Sequence, residues 1–256
     1  MNILTVSPEA LVPSRAAVSV GIVDSGFREI PPYAVVHGPN PRPRHPHGNR
    51  VLGVFAAPDA AYPIPGLTLH LASYDEGSTY SGLLSAIDVL PACDILSISI
   101  AWRDNRQDIR KMLLGKAGVV LVAFSSHTST PYPSRWGDAF QSCSQVANAE
   151  ADWSIRPSGL LDGNSYSVPA VARLMAYGNG VSDGGKDGIP VGELFSASGA
   201  VAEKYYENRV PASRQFNDFT CAKCGRRLLD ENHNPMQELP ARCPYCGRNP
   251  SRGATV

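Results

Sequence analysis

An aspartate, a histidine and a serine stand in short motifs whose residue types suit a proton relay. Four cysteines stand in two pairs whose spacing suits a metal ion. The first motif, Val23-Asp24-Ser25-Gly26, puts a carboxylate at the end of an apolar run. The second, His47-Gly48-Asn49-Arg50-Val51-Leu52-Gly53, puts an imidazole at the start of a helical pattern. The third, Gly163-Asn164-Ser165-Tyr166-Ser167-Val168-Pro169, puts a hydroxyl at the first turn of another helix, with a proline four residues on. A serine hydroxyl is a weak nucleophile at neutral pH and needs an imidazole to take its proton as it attacks. That imidazole needs a carboxylate to hold its tautomer and stabilise its cation. Taken singly, each motif also has an ordinary reading: an aspartate after a strand caps a turn, His-Gly occurs in loops, and Gly-x-Ser is a common helix N-cap. The three together carry the chemistry.

Cys221-x2-Cys224 and Cys243-x2-Cys246 are separated by 18 residues. Two such hairpins can close a tetrahedral thiolate site. Gly225 and Gly247 follow the pairs and let backbone N–H groups turn back toward the sulfurs. A module of about 30 residues cannot bury enough apolar surface to fold alone, so a single structural Zn2+ is expected there, in a closed site that does no chemistry. A redox role fits less well, because there are two pairs and no thioredoxin-like context. Neither His127 nor His233 is needed as a ligand. Cys93 and Cys143 stand alone in apolar surroundings and read as small buried hydrophobes.

The elements that must position these groups alternate in type. VSVGIVD (18–24), LTLHLAS (67–73), DILSISI (94–100) and GVVLVAF (118–124) are apolar at nearly every position, as strands buried on both faces are. Between them run helical patterns: one beginning just after Gly48, one after Ser78 with Leu83, Leu84, Ile87 and Leu90, one near Asp104 with Ile109, Met112 and Leu113, and one after Ser165 with Val168, Val171, Ala172 and Met175. Strands alternating with helices imply an α/β fold, a mainly parallel sheet covered on both sides in three layers. Pro and Gly concentrate in 31–48, which reads as a loop delivering His47; 178–192 reads as a second irregular stretch and 193–208 as a last helix. The expected division is a first domain over 1–209, a linker over 210–220, and the cysteine module with its tail over 221–256. No internal repeat is visible.

With those residues in view, the chain resembles the subtilases, the subtilisin-like serine peptidases. Asp24, His47 and Ser165 occur in the order aspartate, histidine, serine that this family uses. His47 opens a run similar to the family's His-Gly-x-x-Val pattern, and Ser165 sits in one similar to its Gly-Thr-Ser-x-x-x-Pro pattern. EGSTYSGLLSAIDVL, DILSISIAW and GVVLVAFSSHTSTPYPSRW resemble the family's segments between those motifs, so the likeness spans most of 16–177. The resemblance implies a subtilisin-like fold and a serine endopeptidase, with Ser165 as nucleophile, His47 as general base and Asp24 as its orienting carboxylate. It also implies a substrate cleft along Ser99, Ile100, Ala101, Trp102, Phe124 and Ser125.

The chain departs from the family at several points. His127 stands where the family has an asparagine that donates to the oxyanion. Histidine can donate through one ring nitrogen; a neighbouring serine could take the role, or activity could be weak or absent, since losing one such donor costs about 100- to 1,000-fold in turnover. Asn164 replaces the usual threonine and Tyr166 the usual methionine. Ala101 stands in a glycine-rich rim, where its side chain would narrow the first specificity pocket with Trp102 as a wall. No acidic loop suggests calcium.

Composition limits the alternatives. The chain has 256 residues, 43% hydrophobic and 18% charged, with 23 basic and 23 acidic residues. Zero net charge argues against a nucleic-acid or membrane binder as a whole, although Arg226, Arg227, Arg242, Arg248 and Arg252 make the tail locally basic. No run of 18 apolar residues occurs. MNILTVSPEALVPSR has no basic start before a long apolar stretch, so no signal peptide, a cytoplasmic location and reduced thiols are expected. The leading expectation is an endopeptidase acting on a restricted protein or precursor peptide recruited by the zinc ribbon. The alternatives are a catalytically weak or inactive binding protein whose ribbon makes protein contacts, and, less expected, a protein directed to nucleic acid by its basic tail.

Overall fold

A computed structural model describes residues 5–15, 17–40, 46–74, 80–101, 106–124, 139–144, 151–155, 163–178, 189–190, 194–195 and 241–249. The chain divides into two compact units, Met1–Asn208 and Arg209–Val256.

The elements of the first unit are β1 (Thr5–Val6), β2 (Val18–Asp24), β3 (Ala34–His37), α1 (His47–Ala56), β4 (Leu67–Ser73), α2 (Tyr80–Asp88), β5 (Cys93–Ala101), α3 (Gln107–Lys116), β6 (Ala117–Ala123), β7 (Phe140–Ser144), β8 (Trp153–Ser154), α4 (Ser167–Ala176) and β9 (Ile189–Pro190). Among the described residues, seven strands form one sheet in the order β3-β4-β2-β5-β6-β7-β8, and every pairing in it is parallel. β1 and β9 form a separate antiparallel pair. The fold is α/β with a parallel sheet between two helical layers.

Side-chain alternation assigns the layers. On β2, Val20 and Ile22 pack in one core cluster with Val51, Phe55, Val168 and Val171 of α1 and α4, while Val23 packs in the other with Leu83, Ile87, Ile109 and Leu113 of α2 and α3. β2 is an interior strand buried on both faces over most of its length, whereas β4 alternates, with Leu67, Leu69 and Leu71 buried and Thr68 and His70 half-buried on the other face.

Several expectations are corrected. The span 31–48 is not all loop, because β3 pairs with β4 over Ala34–His37. It escaped the pattern because it is a four-residue edge strand with no buried residue. α1 starts at His47 itself, and α3 starts at Gln107 with Arg106 as its cap. The stretch 178–192 contains β9. Of the helix expected over 193–208, only 194–195 are described. Cys93 and Cys143 are buried thiols, and burial pushes Cys93 up to about 11 and Cys143 higher still. No helix among the described residues is long and apolar enough to cross a membrane.

α4 is anchored by a buried cation. Arg173 is fully buried; its Nη1 lies 2.8 Å from Asp59 Oδ1, and its Nη2 donates to the Tyr62 carbonyl at 2.8 Å and to Tyr177 Oη at 3.3 Å. Tyr33 donates to the other oxygen of Asp59. Its phenol is raised well above the ordinary range by burial and by that carboxylate. Removing one partner of such a pair strands the other. Arg173→Leu is therefore expected to destabilise the first unit by about 2–4 kcal/mol, measured by urea unfolding, with the lower end favoured because Asp59 keeps partial solvent contact.

Candidate active site

The carboxyl end of β2 carries Asp24, which is fully buried. Its Oδ1 accepts from the Ser25 N–H at 2.7 Å and lies 2.8 Å from His47 Nδ1. His47 Nε2 lies 2.9 Å from Ser165 Oγ. A carboxylate at Nδ1 places the ring proton there and leaves Nε2 with a lone pair aimed at the hydroxyl. The three groups, separated by 23 and 118 residues in sequence, thus form one hydrogen-bonded chain. The second oxygen, Asp24 Oδ2, is buried and has no hydrogen-bond partner among the described residues.

The first turn of α1 is pressed onto the segment that follows Asp24. A Cβ built on Gly48 would lie 2.4 Å from the Gly26 carbonyl oxygen, so only glycine fits. Gly26 has φ 115°, a conformation open to glycine. The Gly48 N–H donates to Ser25 Oγ at 3.2 Å, and the Arg28 N–H donates to Asn49 Oδ1 at 2.7 Å. Asn40 secures the same segment from outside, accepting from the Phe27 N–H and donating to its carbonyl, both at 2.9 Å.

Ser165 lies in a single 3-10 turn, Asn164–Tyr166, immediately before α4, so it precedes the helix instead of lying in its first turn. Gly163 enters that turn at φ 114°. Pro169 is the third residue of α4, where the missing N–H costs no intrahelical bond. Asn164 ties the turn to the sheet: its Nδ2 donates to the Phe124 carbonyl at 2.8 Å, and Ser144 Oγ donates to its Oδ1 at 3.5 Å. Tyr166 lays its ring against His47, with centroids 5.3 Å apart and planes at 35°.

The cleft candidates are only partly described. Ser99 and Phe124 are buried, and Ile100 packs against the α2/α3 core cluster. Ala101 ends β5. Trp102, Ser125 and His127 lie outside the described residues. Ser25, Asn40 and Asn49 were missed as positioning groups; Ser25 and Asn49 each stand beside a motif glycine, while Asn40 had no such signal.

In the second unit, Cys243 and Cys246 are described, and Cys221 and Cys224 lie outside the described residues. Cys243–Arg248 forms a tight hairpin. The Tyr245 N–H points at Cys243 Sγ at 3.4 Å, the Gly247 N–H donates to the Cys243 carbonyl at 2.8 Å, and Gly247 has φ 69°. An N–H aimed at sulfur stabilises thiolate, the form a metal requires.

A scan against models of known protein families finds no match, and a search of curated proteins finds none. The arrangement can support acyl transfer by an activated hydroxyl. Gly48→Ala is expected to force α1 away from Gly26, with an overpacking cost of about 1–3 kcal/mol. Displacing His47 by about 1 Å should also lower Ser165 reactivity by about 100-fold, measured as the rate of fluorophosphonate labelling. Wild-type labelling in this variant would contradict the positional account.

Proposed function

We propose that the chain is a subtilisin-like serine endopeptidase with a C-terminal zinc ribbon. The observation that carries the reading is the chain Asp24 Oδ1, His47 Nδ1, His47 Nε2, Ser165 Oγ, with links of 2.8 and 2.9 Å. The parallel sheet, with base and nucleophile carried at the starts of the adjacent helices α1 and α4, supports the finer fold assignment, as does the order of the three residues.

The reaction follows from the geometry. Ser165 Oγ attacks the scissile carbonyl carbon as its proton passes to His47 Nε2, and the carbonyl π pair moves onto oxygen. Asp24 holds the resulting imidazolium. The Ser165 backbone N–H and the His127 ring are the proposed donors to the oxyanion. Collapse of the intermediate breaks the C–N bond, and His47 gives its proton to the departing amine. Water, deprotonated by His47, then attacks the acyl-enzyme, releases the acid and restores Ser165. A restricted protein or precursor peptide is the proposed substrate, recruited by the ribbon, and the cytoplasm the proposed site of action.

Cys221, Cys224, Cys243 and Cys246 would hold the zinc. The Cys243–Arg248 hairpin fits it, with its N–H already aimed at sulfur. The ion would supply folding energy to a module too small to hold its own core.

A fluorophosphonate probe should label the wild type and leave Ser165→Ala unlabelled; folded, zinc-loaded wild type that takes no label would sink the peptidase reading. Elemental analysis should find about one zinc per chain, lost on Cys243→Ser; purified wild type free of zinc would count against the ribbon.

A further inference from the structure

We propose that Tyr166, next to the nucleophile, is a positioning residue for the base: its ring face sets the plane of the His47 imidazole and favours the protonated form, with Arg50 near the phenol. The proposal deepens the peptidase reading and rests on it.

Tyr166 is 6% exposed, and its ring centroid lies 5.3 Å from that of His47 with the planes tilted by 35°, nearer to parallel than to edge-on. Burial raises the Tyr166 phenol above its ordinary range, and the nearby Arg50 guanidinium opposes that rise. Arg50 lies three residues after His47 on α1 and so shares its face of the helix. One helix therefore presents both the imidazole and the guanidinium, and the tyrosine lies near both. The single 3-10 turn makes this possible, because it places the ring one residue after the hydroxyl that His47 must reach.

The contact changes character during the reaction. Against neutral imidazole it is an aromatic contact. Once His47 takes the Ser165 proton, a cation lies within about 6 Å of a ring centroid, where the quadrupole attracts it. The interaction is thus stronger in the transition state than in the ground state, which is the condition for accelerating the step. Among the described residues, Asp24 from β2 and Ser165 and Tyr166 from the turn before α4 touch His47, and Arg50 follows it by one turn on α1. Asp24 favours the imidazolium and Arg50 opposes it. A ring acting only as a wall would exclude water and disfavour the cation, so the two roles differ in sign.

The test is an NMR titration of the His47 imidazole in wild type, Tyr166→Phe and Tyr166→Met, with His47→Ala identifying the resonance. Tyr166→Met should lower the apparent pKa by about half to one unit. Tyr166→Phe, which keeps the face, should hold it within about 0.3. An unchanged or raised pKa in Tyr166→Met overturns the proposal, as does an equal fall in Tyr166→Phe. Tyr166→Leu replaces the methionine variant if that fails to fold. The titration needs no turnover, so it reads the role of Tyr166 even in a chain that takes no label. Fluorophosphonate labelling of the wild type reads the peptidase assignment independently.

Discussion

The hydrogen bond from His47 to Asp24 requires the start of a helix to lie against the end of a neighbouring strand, closer than side chains normally allow. The Gly48–Gly26 approach makes room for it. Around that contact the polar groups are arranged to hold it: Ser25 receives the Gly48 N–H, Asn49 receives the Arg28 N–H, and Asn40 clasps Phe27 through both its amide groups. Each bond alone is worth about 1 kcal/mol. Together they define one position for the ring, and a buried carboxylate oriented that way costs no reorganisation when the imidazole becomes charged.

Ser165 reaches the same place from a segment 118 residues further along the chain. α4 lies beside α1 over one face of the sheet, and the buried Arg173 couples it to Asp59, in the turn that follows α1, and to Tyr62 just beyond. Asn164 fastens the preceding turn to the carboxyl ends of β6 and β7. Ser165 is thus fixed to the sheet on one side and to the helix pair on the other. Parallel sheets gather strand ends along one edge, and that edge collects β2, β5 and β6 around the relay.

The points at which the sequence differs from the subtilases it resembles acquire physical content in this frame. Asn164, where the family has threonine, has the amide needed to bridge two strand ends. Tyr166, where it has methionine, provides a flat ring against His47 and a hydroxyl near Arg50. Neither substitution removes a member of the relay. The cysteine hairpin belongs to a separate unit, and its described contacts are backbone groups turned toward sulfur.

Much of this was legible in the sequence because it is local. β2 and β4 have the limits their apolar patterns imply, β2 through near-continuous burial and β4 through the buried face of Leu67, Leu69 and Leu71. Asp24, His47 and Ser165 stand out through the glycines and proline beside them, although the demand that Gly48 answers, the approach to Gly26, is itself tertiary. β3 was not legible, because four half-exposed edge residues have no periodic signature. Nor were the roles of Asn49, Asn164 and Arg173, whose partners lie 21, 40 and 111 residues away. The sequence by itself determined the α/β class, the identity of the relay residues and the paired cysteines, because composition and short-range pattern carry those. Only the tertiary structure decided that the three side chains close to hydrogen-bond distance, which buried polar groups hold them there, and that Tyr166 lies against His47, because those depend on where the sheet brings distant segments together.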